Sequence, residues 1–305
     1  MSDARSSRRP FGFGPPRPER RSIAELIRAG TLDAELAALV WLLVEARVPV
    51  VVAAAQRRAG KTTLLEAVQE LLPSGTRRVE LAGAAETFDW LPHATDLGWS
   101  GGRGAEGDGR ATEAADPGST WLVAHELSDH LPSYVWGDTA RVAVRALSLG
   151  YGLGTTIHAD SLEDVFDTLR RPPVGLTDDE LTRLGVVLVL RALADGDGRP
   201  AIVRRVVAAH YVRPLARDAH GHVQRLGPAV LATWDPSGGG FEHFAWGVMP
   251  ELADRVGRRA GDFEVELERR REYLAGLAEG GVVGVDEVRA AIDGYRAVDA
   301  ARRPN

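Results

Sequence analysis

The chain has 305 residues, 44% hydrophobic and 26% charged, with a formal net charge of −6 and no cysteine. That length is enough for a full core, one large domain and a smaller one, and the lack of cysteine excludes disulfides and thiolate metal sites. The most apolar segment, residues 36–55, is interrupted by Glu45, Arg47 and Pro49 and does not read as a membrane span.

Residues 1–21 form a Pro/Gly/Arg-rich tail, expected to be disordered because it cannot bury a core. Six arginines face only Asp3 and Glu19 there, so the rest of the chain is more acidic than the net charge suggests. A basic arm of this kind is either simply solvated or a contact for membrane lipid, nucleic acid or an acidic partner. The run Ser7-Arg8-Arg9-Pro10-Phe11 is reminiscent of a twin-arginine export signal, but no apolar segment follows it, and the chain is expected to be cytoplasmic.

From Ser22 the pattern becomes ordered. Ser22-x-x-Glu25 is a capping box for a short helix ending at Gly30, and Thr31, Asp33 and Glu35 open a second helix running to about Ala46. Residues 48–55 are a continuous apolar run, as expected of a strand buried on both faces of a parallel sheet. The loop Gln56-Arg57-Arg58-Ala59-Gly60-Lys61-Thr62-Thr63 follows, then a helix stopping at Pro73.

Strand, loop and helix in this order form a phosphate-binding P-loop, which aims backbone N–H groups and a helix N-terminus at phosphates. Lys61 is the only lysine beside 36 arginines. A compact ammonium fits between the β- and γ-phosphates where a planar guanidinium does not, which accounts for that one exception. ATP with Mg²⁺ is therefore the expected ligand, with Thr62 lending its hydroxyl to the metal. The loop departs from G-x-x-x-x-G-K-[ST]: Ala55 stands at the first glycine, and Arg57 and Arg58 occupy places that usually carry small residues. They either crowd the turn or add charge toward the phosphates.

A short strand near residues 78–81 leads into a loop, residues 98–118, whose seven glycines mark flexibility. The strand Thr120–Leu127 then delivers Glu126 at its carboxyl end, the arrangement of a Walker B carboxylate that holds Mg²⁺ or polarises the attacking water. A helix over 138–149 ends at Gly150. The β-rich stretch 154–161 follows, placing His158 at a strand end with Asp160 and Ser161 capping the next helix. His158 is either structural or a γ-phosphate sensor.

Beyond Arg191 the pattern changes to short strands separated by Gly/Pro/Asp turns, beginning at Asp195-Gly196-Asp197-Gly198. His220 and His222 beside Asp218 read as a turn between strands in preference to a metal site. Three closing helices, near 250–256, 262–278 and 286–295, carry apolar residues at helical spacing for core or subunit packing. The expected organisation is a tail over 1–21, an α/β core over 22–193 and a smaller mixed region over 194–305.

Taken in order, the segment from Ile27 to the P-loop, "VAHEL", "TTIHADS", "RPPVGLTDDEL" and "VVLVLR" resembles the type II/type IV secretion and pilus-motor ATPases, particularly the tight-adherence pilus and archaeal-type branches. The resemblance covers residues 22–191, and residues 269–295 resemble the end of the archaeal-type members. It implies a RecA-like P-loop NTPase core, a hexameric ring of identical subunits on the cytoplasmic face of a membrane machine, and an inner-membrane platform protein as partner. It also implies that Lys61 and Thr62 match the family's P-loop, Glu126 its Walker B glutamate and His158 its His-box histidine.

Several family groups are replaced. The acidic pair between the P-loop and Walker B falls on Ala82 and Gly83, leaving Glu86 as the nearby carboxylate and a candidate catalytic group. His125 stands where the family has glycine, Tyr151 at an earlier histidine, and Ser128 at an arginine. The family's N-terminal domain, which contributes arginines to the nucleotide, is expected to be missing, since residues 1–21 read as a disordered tail. Three classes follow: an ATP-hydrolysing motor, a weakened or inactive nucleotide-binding paralogue, and a nucleic-acid-dependent ATPase. The acidic body argues against the last, so no nucleic-acid partner is expected.

Overall fold

A computed structural model describes residues 20–101, 113–194, 202–217 and 220–302. Most of the basic tail, the middle of the glycine-rich loop, the turn at 195–198 and Asp218 lie outside these residues. In chain order the principal elements are α1 (Ile23–Arg28), α2 (Ala34–Glu45), β1 (Val50–Ala53), α3 (Lys61–Gln69), β2 (Arg77–Glu80) and β3 (Thr120–Leu127). Then come α4 (Asp138–Ala146), β4 (Gly152–Ile157), α5 (Leu162–Arg170), α6 (Asp178–Leu181), β5 (Val186–Ala194) and β6 (Ile202–Tyr211). The chain closes with β7 (Ala216–Arg217), β8 (Val223–Gln224), β9 (Ala229–Asp235), β10 (Gly240–His243), α7 (Met249–Arg255), α8 (Ala260–Glu279) and α9 (Val285–Arg302).

Eight strands form one sheet in the order β10-β9-β6-β5-β1-β4-β3-β2. The five strands from β2 to β5 are parallel, and β6, β9 and β10 extend them antiparallel. This is the expected α/β fold, with the P-loop-like stretch following the central strand β1. The apolar run behind β1 explains its central place: every residue from Val50 to Ala53 is buried. Val50 and Val52 enter one core with α1, α2, α3 and the last three helices, while Val51 and Ala53 enter the other with α4 and α5. That alternation is what a strand covered on both faces requires.

Local chemistry sets the helix ends. Ser22 Oγ accepts from Glu25 N at 3.1 Å and Asp33 Oδ1 from Leu36 N at 2.9 Å, satisfying N–H groups that have no partner within a helix's first turn. Ser161 does the same for α5, accepting from Asp164 N at 3.1 Å. Glycine serves a packing purpose in β4: a Cβ on Gly152 would lie 2.2 Å from Trp121 Cε3, so the indole of β3 rests on bare backbone.

The residues after 194 share both sheet and core with those before. β6 pairs with β5 along its length, and Phe263 and Leu274 of α8 lie in one apolar cluster with Trp41 of α2. The antiparallel pair β7 and β8 brackets His220 and His222, whose rings stack 6.1 Å apart. Among the described residues there is no group of three metal-ligating side chains, and no helix is long and apolar enough to cross a membrane.

Candidate functional site

Four neighbouring parallel strands, β3, β4, β1 and β5, end on the same side of the sheet, where open α/β folds bind ligands. A cleft of about 1480 Å³ opens there, and Gln56 through Thr63 line it without a break. The sequence thus folds its one P-loop-like stretch onto the cleft floor. Gly60 takes φ +99° to turn the chain into α3, a conformation glycine adopts without strain. α3 then presents its first-turn N–H groups together with Thr62, which is exposed, and Thr63.

Lys61 is the first residue of α3. Its Nζ lies 3.4 Å from Ala54 O and 3.4 Å from Glu126 Oε1, so two residues 65 apart in sequence meet across the cleft. Both side chains are largely covered, with 11% and 16% of their surface exposed. Burial lowers the Lys61 pKa, opposed by the charge and hydrogen bond of Glu126. An ammonium held by two contacts as long as 3.4 Å can take closer anionic oxygens.

The irregular end of β3 aims Glu126. The β3–β4 register shifts between Ala124 and Leu127, and Thr156 Oγ1 donates to His125 O at 2.8 Å, fixing the displaced backbone. Val135 N donates to Glu126 O at 2.9 Å, which folds the following loop back beside it. His158, one residue past β4, also lines the cleft.

Glu86 is placed elsewhere. It is buried outside the cleft, where its carboxylate accepts from Ala82 N and Phe88 N at 2.8 Å and from Trp90 Nε1 at 3.2 Å. Those three donors make it the brace of its own loop. Tyr151 is likewise buried, donating to Ala115 O at 2.6 Å, and burial raises its pKa.

Besides Arg21 and Tyr134, His130 and Arg204 are polar cleft residues that escaped the motif reading. His130 stands on the loop after β3, its Nδ1 held by Ser128 Oγ and its ring 6.4 Å from that of His158. Arg204 reaches in from β6, where its Nη2 donates to Arg58 O at 3.4 Å. The only sequence signal for the second was an adjacent arginine pair, Arg204-Arg205, inside an otherwise apolar strand. The loop itself is tied to β5, since Ala192 N donates to Gln56 Oε1 at 2.8 Å.

No family model matches the sequence. The chain is 24% identical over 266 residues to the uncharacterized protein MJ1287 of Methanocaldococcus jannaschii, covering 84% of this chain and 91% of the relative. It is 23% identical over 264 residues to the uncharacterized protein MJ0900 of the same organism, covering 83% of this chain but 45% of that protein. Among solved structures it is similar to the VirB11 ATPase of the Brucella suis type IV secretion system in complex with sulphate, at 19% identity and a TM-score of 0.35. That match covers 54% of this chain and 49% of VirB11. The Legionella pneumophila ATPase DotB matches at 12% identity and a TM-score of 0.36, over 61% of this chain and 50% of DotB. The chain thus spans about half the length of MJ0900 and of both solved structures.

Proposed function

We propose that the chain is a P-loop ATPase of the secretion or pilus-motor type, coupling ATP binding and hydrolysis to pilus assembly or protein secretion. The observation that carries the nucleotide reading is the meeting of Lys61 and Glu126 over the P-loop at the carboxyl ends of β1 and β3. In this reading the backbone of Gln56 to Thr63 and the α3 N-terminus bind the phosphates, and Lys61 bridges the β- and γ-phosphates. Thr62 and Glu126 would hold Mg²⁺, which when bound neutralises charge on the phosphate oxygens. Glu126 orients the attacking water, and His158 senses the γ-phosphate.

The motif order supports a ring of identical subunits, an inner-membrane platform partner and a cytoplasmic place at the inner membrane face. The tail over 1–21 is then a basic arm, the core over 22–193 carries the P-loop and Glu126, and the region over 194–305 packs on that core and aids assembly. A second reading, a weakened paralogue with a structural or regulatory role, is favoured by the left-handed φ of +62° at Arg58 and by Glu86 lying outside the cleft.

Mg-ATP binding and turnover of the purified chain test both. Lys61→Ala should abolish binding, and Glu126→Gln should retain binding while lowering turnover by at least tenfold. Equal ATP affinity in wild type and Lys61→Ala overturns the nucleotide reading. Wild-type turnover no higher than that of Glu126→Gln selects the paralogue.

A further inference from the structure

The P-loop, the start of α3 and the ends of β3 and β4 line one side of the cleft, while Arg21, Leu26, Ala29 and Thr31 around α1, Leu190 of β5 and Val203 and Arg204 of β6 line the other. Arg204 is registered opposite Ala192 of β5, and Ala192 is the residue whose N–H holds Gln56. This pairing hangs the Arg204 side chain directly over the P-loop. A Cβ added at Gly60 would lie 2.8 Å from Arg204 Cδ and 3.3 Å from its Nε, so the arginine stem occupies the space above the last loop glycine. Arg204 is exposed to the cleft, and its Nη2 donates to Arg58 O at a long 3.4 Å.

Other arginines of this chain are held more firmly. Arg213 forks onto Glu251, Arg225 onto Asp179, and Arg145 meets Glu180 at 2.6 Å. Among the described residues no carboxylate stands within ion-pair distance of Arg204. Its neighbours across the loop are Arg57 and Arg58, both exposed, and Lys61. Glu126 answers the charge of Lys61, while Arg57, Arg58 and Arg204 share the cleft as like charges whose repulsion an anion bound there would relieve.

We propose that Arg204 is a phosphate-contacting residue of this site, gripping the nucleotide's phosphate chain from the β6 side while Lys61 holds it from the α3 side. The proposal rests on the nucleotide reading and adds to it a ligand contact from outside the P-loop and Walker B segments. A guanidinium presents a rigid fork that matches phosphate oxygens two at a time, and charge-assisted bonds of this kind are the strong ones.

The test is equilibrium binding of Mg-ATP, Mg-ADP and AMP by the full chain, measured for wild type, Arg204→Ala, Arg204→Gln and Arg204→Lys. Arg204→Ala and Arg204→Gln should weaken ATP roughly tenfold to a hundredfold, with a smaller loss for AMP, and Arg204→Lys should recover part of the loss. Melting without nucleotide should change little in all three, because one long hydrogen bond is removed. An Arg204→Gln chain that melts normally and binds ATP as wild type does overturns the proposal and leaves the P-loop reading standing. Equal losses for ATP and AMP overturn it too, since a residue that merely props the loop would give that result. No ATP binding by wild type overturns both.

Discussion

Arg58 holds a left-handed backbone, φ +62°, in the middle of the loop that wraps the cleft floor. A side chain with a Cβ pays roughly 1–2 kcal/mol for that conformation, which glycine adopts freely. Arg58→Gly should therefore raise stability by about 1 kcal/mol, after allowing for the greater freedom glycine gives the unfolded chain. The Arg58 carbonyl that accepts from Arg204 survives the substitution, so the loop's tie to β6 is kept. Urea unfolding of the two proteins measures the difference, and a less stable Arg58→Gly would show that the arginine side chain makes contacts worth more than the strain. At this scale the sequence told most about residues whose role depends on neighbours in the chain. Lys61, Thr62, Glu126 and His158 all end or follow a recognisable strand, and the fold brings all four to one cleft. His130 and Arg204 were hidden because their position depends on a returning loop and on strand register, neither of which leaves a local pattern. Glu86 was nominated by proximity in sequence, and three nearby N–H donors claim its carboxylate instead.

The same contrast holds for whole elements. β1 and β3 were legible as apolar runs and β4 as a short β-rich stretch, whereas the four residues of β10 alternate between exposed and half-buried and carry no such run. Yet β10 matters to an element more than 190 residues earlier. His243, its last residue, places Nε2 2.7 Å from Asp33 Oδ2 and Nδ1 3.5 Å from Glu35 Oε1, at the start of α2. Asp33 uses its other oxygen to cap α2, so one carboxylate joins the sheet edge to a core helix. Burial lowers the His243 pKa, but the hydrogen bond and charge of Asp33 and the charge of Glu35 outweigh it and the repulsion of Arg271, leaving a net upward shift. A raised folded pKa means the contribution is fully present below the ordinary histidine value and is lost as pH rises through the folded one. Against His243→Gln, wild type should be more stable by about 1 kcal/mol near pH 5.5, with the gap closing as pH rises through the raised histidine value. Denaturant unfolding across that range reads it directly. A gap independent of pH would mean that packing, not the charged pair, joins β10 to α2.

For the whole molecule, the decisive fact is that the region after 194 completes a core begun at Ile23. β5 is paired along its length with β6, from Val186 opposite Tyr211 to Ala194 opposite Ile202. Without β6, an apolar strand in the middle of the sheet would become an open edge, a surface that invites pairing with other chains. On the helical side, Glu45 at the end of α2 is held by Arg270 of α8 at 2.6 Å and by Arg296 of α9 at 2.5 Å. Burial raises the Glu45 pKa, but the two arginines overcome this and leave it below the usual carboxylate range. Arg270 is itself 1% exposed, lies 2.8 Å from Glu266 and stacks 4.3 Å from the ring of Trp41. Removing one side of such a buried pair costs roughly 3–5 kcal/mol, because the other charge loses its partners. A chain ended at Leu193 would lose both arginines, strip the cover from Trp41 and open β5 at once, which together exceed the whole stability of an ordinary domain. It should therefore show no cooperative unfolding transition and should aggregate, while the full chain unfolds as a unit. Circular dichroism through a urea titration, with light scattering on the same samples, decides the matter. A soluble chain of 193 residues with a sharp transition would mean that the first part carries a sufficient core alone, and that the antiparallel strands and last helices are an addition to a finished domain.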